Sequence, residues 1–172
     1  MFRKPAHLKL RWRWRADRWL VVEAACWLAV ARLAVMTIPF RWTTKLLAFR
    51  PAADNAPNQP IRDTPSLEFA RRASKVLRVV AACTPWQSNC FTQAIAGAGM
   101  LRLRHMAATL AMGVKKRHGQ AGALEAHAWL CCCGFVLTGA TGRKGYRVVA
   151  TFSSSSKRPK ISLPCIDTPD SL

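Results

Sequence analysis

Residues 19–40 form an apolar run, rich in Ala and Leu, whose only charges are Glu23 and Arg32. That run has to be taken out of water, and it decides what the rest of the chain must be built around. Its composition favours helix, and Pro39 marks the expected end. The length approaches that of a membrane span. Two charges nine positions apart fall on opposite faces of a helix turning about 100° per residue, and each is costly in lipid. A helix buried against a domain, or lying on a membrane surface, is therefore expected over a true crossing.

On its amino-terminal side, residues 1–18 carry Arg3, Lys4, Lys9, Arg11, Arg13, Arg15 and Arg18 against one acid, Asp17. Leu8 to Arg15 alternates apolar and basic residues, which on an extended strand places Leu and Trp on one face. Trp with Arg suits stacking on bases or a bilayer interface, and a flexible arm packed on the body is the plainer reading. The Pro- and Asn-rich segment after Arg50 reads as a linker. A helix is expected over 66–82, with Ser66 as N-cap and Leu67, Ala70, Ala73, Leu77 and Val80 at helical spacing. Arg71, Arg72, Lys75 and Arg78 fall on its solvated face. A second helix should begin near Ser88 or Asn89, both good caps.

Beyond His105 the pattern changes to strand-like runs at 109–114, 126–130, 134–137 and 146–152. Helices first and strands afterwards describe an α+β domain. The expected organisation is a basic arm (1–18), a helical segment packed on the core (19–50), a linker (51–65), the core (66–156) and a tail (157–172).

The net charge of +19 at pH 7 attracts polyanions, whether nucleic acid, anionic lipid or an acidic peptide. Seven cysteines without regular spacing, and no clean cleavage pattern for a secretory signal, suggest reduced thiols in a cytoplasm.

The chemistry concentrates at two places. Trp86-Gln87-Ser88-Asn89-Cys90 opens a helix, and a thiol in the first turn sees the positive end of the helix dipole, which favours thiolate. His127 sits on an expected strand, where a rigid scaffold aims its imidazole. Together they suit nucleophilic catalysis by a thiolate with an imidazole base. Taken singly, a buried inert cysteine and a structural histidine are the ordinary readings.

Trp86-Gln87-Ser88-Asn89-Cys90, the helix after it, Met112-Gly113-Val114-Lys115-Lys116 and His127-Ala128-Trp129-Leu130 together resemble the transglutaminase-like peptidases of lasso-peptide biosynthesis. Val22-Glu23-Ala24-Ala25, Ala31-Arg32-Leu33 and Pro39-Phe40-Arg41 are similar to their amino-terminal helix. The resemblance implies a papain/transglutaminase-like core and a cysteine peptidase that removes the leader from a ribosomally made precursor peptide. Cys90 would be nucleophile and His127 base, with the Cys90 N–H and Gln87 stabilising the oxyanion. It implies no cofactor. The partners it implies are the precursor, a separate leader-recognition protein and a macrocycle-forming cyclase; a peripheral membrane contact also fits, and nucleic acid fits less well.

That family carries an acid about twelve residues beyond the histidine. Here the neighbourhood reads Leu137-Thr138-Gly139-Ala140, and no Asp, Glu, Asn or Gln occurs between His127 and Asp167. Asp167 or Asp170 folding back, Glu125 on the His127 face of the strand, or a main-chain carbonyl could stand in. A Cys–His dyad or incomplete triad is the expectation, with slower or lost catalysis as the alternative. Cys131-Cys132-Cys133 does not read as a metal site, because adjacent strand residues point to alternate faces. A non-catalytic basic protein binding nucleic acid or membrane, and a transglutaminase-like acyl transferase, are the rival functions.

Overall fold

The computed structural model describes residues 14–51, 64–86, 88–116, 123–143 and 145–154. Among them the order is α1 (Trp14–Thr37), α2 (Phe40–Leu46), β1 (Phe49–Pro51), α3 (Thr64–Cys83), α4 (Cys90–Leu103), β2 (Ala108–Lys116), β3 (Leu124–Cys132), β4 (Phe135–Thr138) and β5 (Arg147–Ser154). The strands make one sheet, ordered β1-β5-β2-β3-β4, with every pairing antiparallel. This is the expected α+β arrangement.

α4 is the axis of the molecule. Thr92 and the run from Ala94 to Leu101 are buried, and a helix apolar on all sides belongs in the middle of a core. α1 and α3 pack on it, and its other side lies on β3 and β4. Small residues set these approaches. A Cβ on Gly97 would stand 2.8 Å from Cδ2 of Leu137. One on Gly99 would stand 2.6 Å from Cδ2 of Trp27 in α1, and closer to two other ring atoms.

The apolar run resolves as α1, which buries Leu20, Ala24, Leu28 and Ala31 in the common core. Both of its acids are tied to the body. Asp17 pairs with Arg72 of α3. Glu23 takes a two-pronged bond from Arg104, with Nη1–Oε1 at 2.6 Å and Nη2–Oε2 at 2.7 Å. The Arg104 guanidinium also lies 4.1 Å from the Phe69 ring centroid, so one side chain joins α1, α3 and the end of α4. Among the described residues one helical stretch, Asp17–Thr37, is long and apolar enough to cross a membrane.

Several expectations are corrected. The first helix starts at Trp14, not Trp19, so the alternating-strand reading fails for Trp14 and Arg15, and the rest of that reading lies outside the described residues. The Asp17–Arg72 pair holds the additional turn. Ser66 is not an N-cap, because α3 begins at Thr64; Pro65 suits a first helical turn, where no N–H is needed. Phe49 and Arg50 of the expected amino-terminal segment and Pro51 of the expected linker supply an edge strand, β1, through the pairings Phe49↔Ser154 and Pro51↔Phe152.

The two faces of the sheet differ. Leu110, Ala128, Leu130 and Cys132 meet the helices, whereas Ala111, Trp129 and Cys131 form a second small cluster with Val136 and Tyr146. The adjacent cysteines thus divide between faces, as alternation requires.

Candidate active site

Cys90 is the first residue of α4, and the loop before it is held on several sides. Asn89 is the N-cap: its Oδ1 accepts the Thr92 N–H and the Thr92 hydroxyl, both at 2.8 Å. The Gln93 amide donates to the Ser88 carbonyl at 2.8 Å, and the Thr84 hydroxyl meets the Trp86 carbonyl at 3.1 Å. The thiol therefore sits at the start of the helix, where the partial positive charge of the N–H groups is greatest. Cys90 is half-buried against the core rather than sealed in it.

His127 lies on β3, opposite Gly113 of β2. Its ring is flanked by Tyr146, with centroids 5.2 Å apart, and Trp129, at 6.0 Å. The missing side chain at Gly113 leaves room for this cluster: a Cβ there would lie 3.0 Å from Trp129 and Tyr146 atoms.

The second histidine nitrogen has a partner. Nε2 of His127 lies 2.8 Å from the carbonyl oxygen of Gly139. A carbonyl only accepts, so Nε2 carries the proton, and in the neutral ring Nδ1 is left as the basic nitrogen. Gly139 stands twelve residues beyond the histidine. Its φ is +76°, and a Cβ on it would come within 2.9 Å of Cα and Cβ of Trp129, and closer still to the Ala128 carbonyl oxygen. Glycine is thus what lets this carbonyl reach the ring.

Glu125 is engaged elsewhere. It accepts the Tyr146 hydroxyl at 2.5 Å and pairs with Lys115 at 3.4 Å. The Lys115 ammonium in turn sits 4.5 Å from the centre of the Tyr146 ring. The hydrogen bond that its hydroxyl donates to Glu125 pushes Tyr146 above its ordinary range, and the Glu125 charge acts in the same direction. Lys115 is raised too, first by its hydrogen bond to Tyr146 and also by the Glu125 charge. Glu125 therefore fixes Tyr146, which flanks the histidine.

Among the described residues no hydrogen bond joins the Cys90 sulfur to the His127 ring. Helix α4 and strand β3 are packed neighbours, but Ala128 and Leu130 are the β3 side chains that enter the shared core, while His127 lies with Trp129 and Tyr146. Gln87, Asp167 and Asp170 lie outside the described residues. Another thiol is disqualified on chemical grounds: Cys132 is buried and 3.5 Å from the Cys133 sulfur, and that hydrogen bond, then burial, pushes its thiol far up and keeps it protonated.

The sequence reading named a main-chain carbonyl among three stand-ins for the acid, without saying which carbonyl. It missed Tyr146 altogether. A glycine at the position of the missing acid was the available signal for the first; nothing local signalled the second.

A family model described as the transglutaminase-like superfamily matches residues 34–151, more than half of the chain and inclusive of both Cys90 and His127. No curated protein and no solved structure matches.

Proposed function

The chain belongs to the transglutaminase-like superfamily, and from that premise we propose that it is a cysteine peptidase acting through Cys90 and His127. The observation that carries the reading is the Gly139 carbonyl on Nε2, because it frees Nδ1 to act as base. In the proposed reaction Nδ1 takes the Cys90 proton and Sγ attacks the scissile carbonyl. The N–H at the start of α4 faces the developing oxyanion, with Gln87 as a second donor. The imidazolium protonates the leaving amine, and water then hydrolyses the thioester.

A carbonyl orients imidazole without supplying the full negative charge of a carboxylate. It therefore stabilises imidazolium less, and slow turnover follows. A papain-like core, the precursor of a lasso-type peptide as substrate, a separate leader-recognition protein, a cyclase acting afterwards and a cytoplasmic setting belong to the same proposal, supported by the resemblance of the Cys90 and His127 segments.

The test is mass spectrometry of a candidate precursor incubated with the protein and its recognition partner. Cleavage is expected from the wild type and not from Cys90→Ala or His127→Ala; equal cleavage by all three would refute the assignment. The superfamily also includes acyltransferases, and the same thioester would serve one. Appearance of an amine adduct in place of free acid would identify that rival.

A further inference from the structure

Among the described residues, nothing packs against the outward face of α1. Trp19 is 82% exposed, Leu33 63%, Met36 67%, Val22 53% and Val30 52%, and exposed Cys26 falls among them. At 3.6 residues per turn, positions 19, 22, 26, 30 and 33 form one continuous stripe opposite Leu20, Ala24, Leu28 and Ala31. Ile38, between the two helices, and Trp42 of α2 add exposed apolar surface just past α1. Isolated exposed apolar residues need no explanation, but a stripe running the length of a helix marks an interaction site.

Charge distribution selects the occupant. Both acids of α1 are spent on Arg72 and Arg104, so the outer stripe contains no carboxylate. Arg18 and Arg32 fall together on one flank of it. Arg41 and Lys45 are exposed on α2, the latter 5.2 Å from the Trp42 ring centroid. The sequence just before the helix adds Arg3, Lys4, Lys9, Arg11 and Arg13. Pairing two such stripes would bring together two chains of charge +19, which opposes self-association. An anionic surface gains from every one of these charges.

We propose that α1 lies flat in the interface of an anionic lipid bilayer, with Trp19, Val22, Val30, Leu33 and Met36 in the acyl boundary and the basic residues at the headgroups. The helix does not cross. Its inner face is docked on α3 and α4, and a crossing would break the Asp17 and Glu23 ion pairs and strip Leu20, Ala24, Leu28 and Ala31 from the core. An amphipathic helix with aromatic residues on the apolar side and Lys/Arg beside it is the form that binds in this way.

The test is vesicle flotation of the full chain, with phosphatidylglycerol-containing and pure phosphatidylcholine vesicles compared. Wild-type protein is expected to float with the anionic vesicles, and the doubly substituted Trp19→Glu, Leu33→Glu chain to partition at least tenfold less. Val30→Glu is a milder second variant, and circular dichroism checks that each keeps the wild-type helix content. Undiminished flotation of the folded variants would assign binding to the basic arm alone and overturn the proposal. So would a lack of wild-type flotation together with a dimer in sedimentation that the same substitutions dissociate, since the stripe would then belong to a second copy.

Discussion

Replacing Gly139 with alanine perturbs the one backbone position on which the histidine's orientation depends. Two costs add. Alanine at φ +76° pays about 1–2 kcal/mol for the left-handed region. Its Cβ also meets the Ala128 carbonyl and, at 2.9 Å, Cα of Trp129. These are main-chain atoms of a strand paired on both sides, so relief requires the end of β4 to move, an overpacking cost of about 1–3 kcal/mol. The total is roughly 2–5 kcal/mol, a sizeable part of the roughly 5–15 kcal/mol that holds a domain together. Gly142 is the internal control: its φ is +90° and nothing lies within 4 Å of a Cβ there, so Gly142→Ala carries the first cost alone. In urea unfolding, Gly139→Ala should lower the midpoint by roughly 1–2 M and Gly142→Ala by less than half of that. Equal midpoints for the two variants would refute the close-approach argument. Gly139→Asp tests the chemical side of the same geometry. Although it restores a carboxylate twelve residues past His127, its Cβ has nowhere to go, and cleavage should fall rather than rise. Faster cleavage would show that the carbonyl is not what the site depends on.

Tyr146 is the only tyrosine of the chain, so tyrosinate absorbance reports it alone. Its folded pKa is raised, hence its contribution to stability is complete below about pH 10 and is lost as pH rises through the higher folded value. The titration midpoint should lie above that of the urea-unfolded chain and move down in Glu125→Gln; an unshifted midpoint would contradict the Glu125 contact. Gly99→Ala should cost about 1–3 kcal/mol in chemical denaturation, because Trp27 must leave its place on α4, and a neutral result would mean that α1 is not seated there. Leu28→Ala, emptying a side chain fully buried under α1, should cost about 2–5 kcal/mol, whereas Leu33→Ala on the outer stripe should stay within roughly 0.5 kcal/mol. Alkylation by iodoacetamide at neutral pH should modify Cys90 well before Cys132, whose thiol stays protonated; mass mapping of the labelled peptides decides it.

Local chemistry made much of this molecule legible. The cap at Asn89 and the apolar run after it define α4 because capping and burial act within one helix. Alternation along Ala126 to Leu130 defines β3 because side-chain direction is a property of the strand itself. The placement of Cys90 at a helix start and His127 on a strand belongs to the same class of inference. What joins distant parts was not legible. Arg104 gathering Glu23 and Phe69, Tyr146 bonding Glu125 beside His127, and β1 closing the edge of the sheet against β5 each depend on contacts between segments far apart in the chain, which no local pattern encodes. The third partner of His127 shows the division most sharply. The sequence determined that the stretch between His127 and Asp167 offers no carboxylate or amide for that part. Only the tertiary structure decided that a glycine carbonyl bonds the ring, because a carbonyl is present at every residue and only packing determines which one comes within reach.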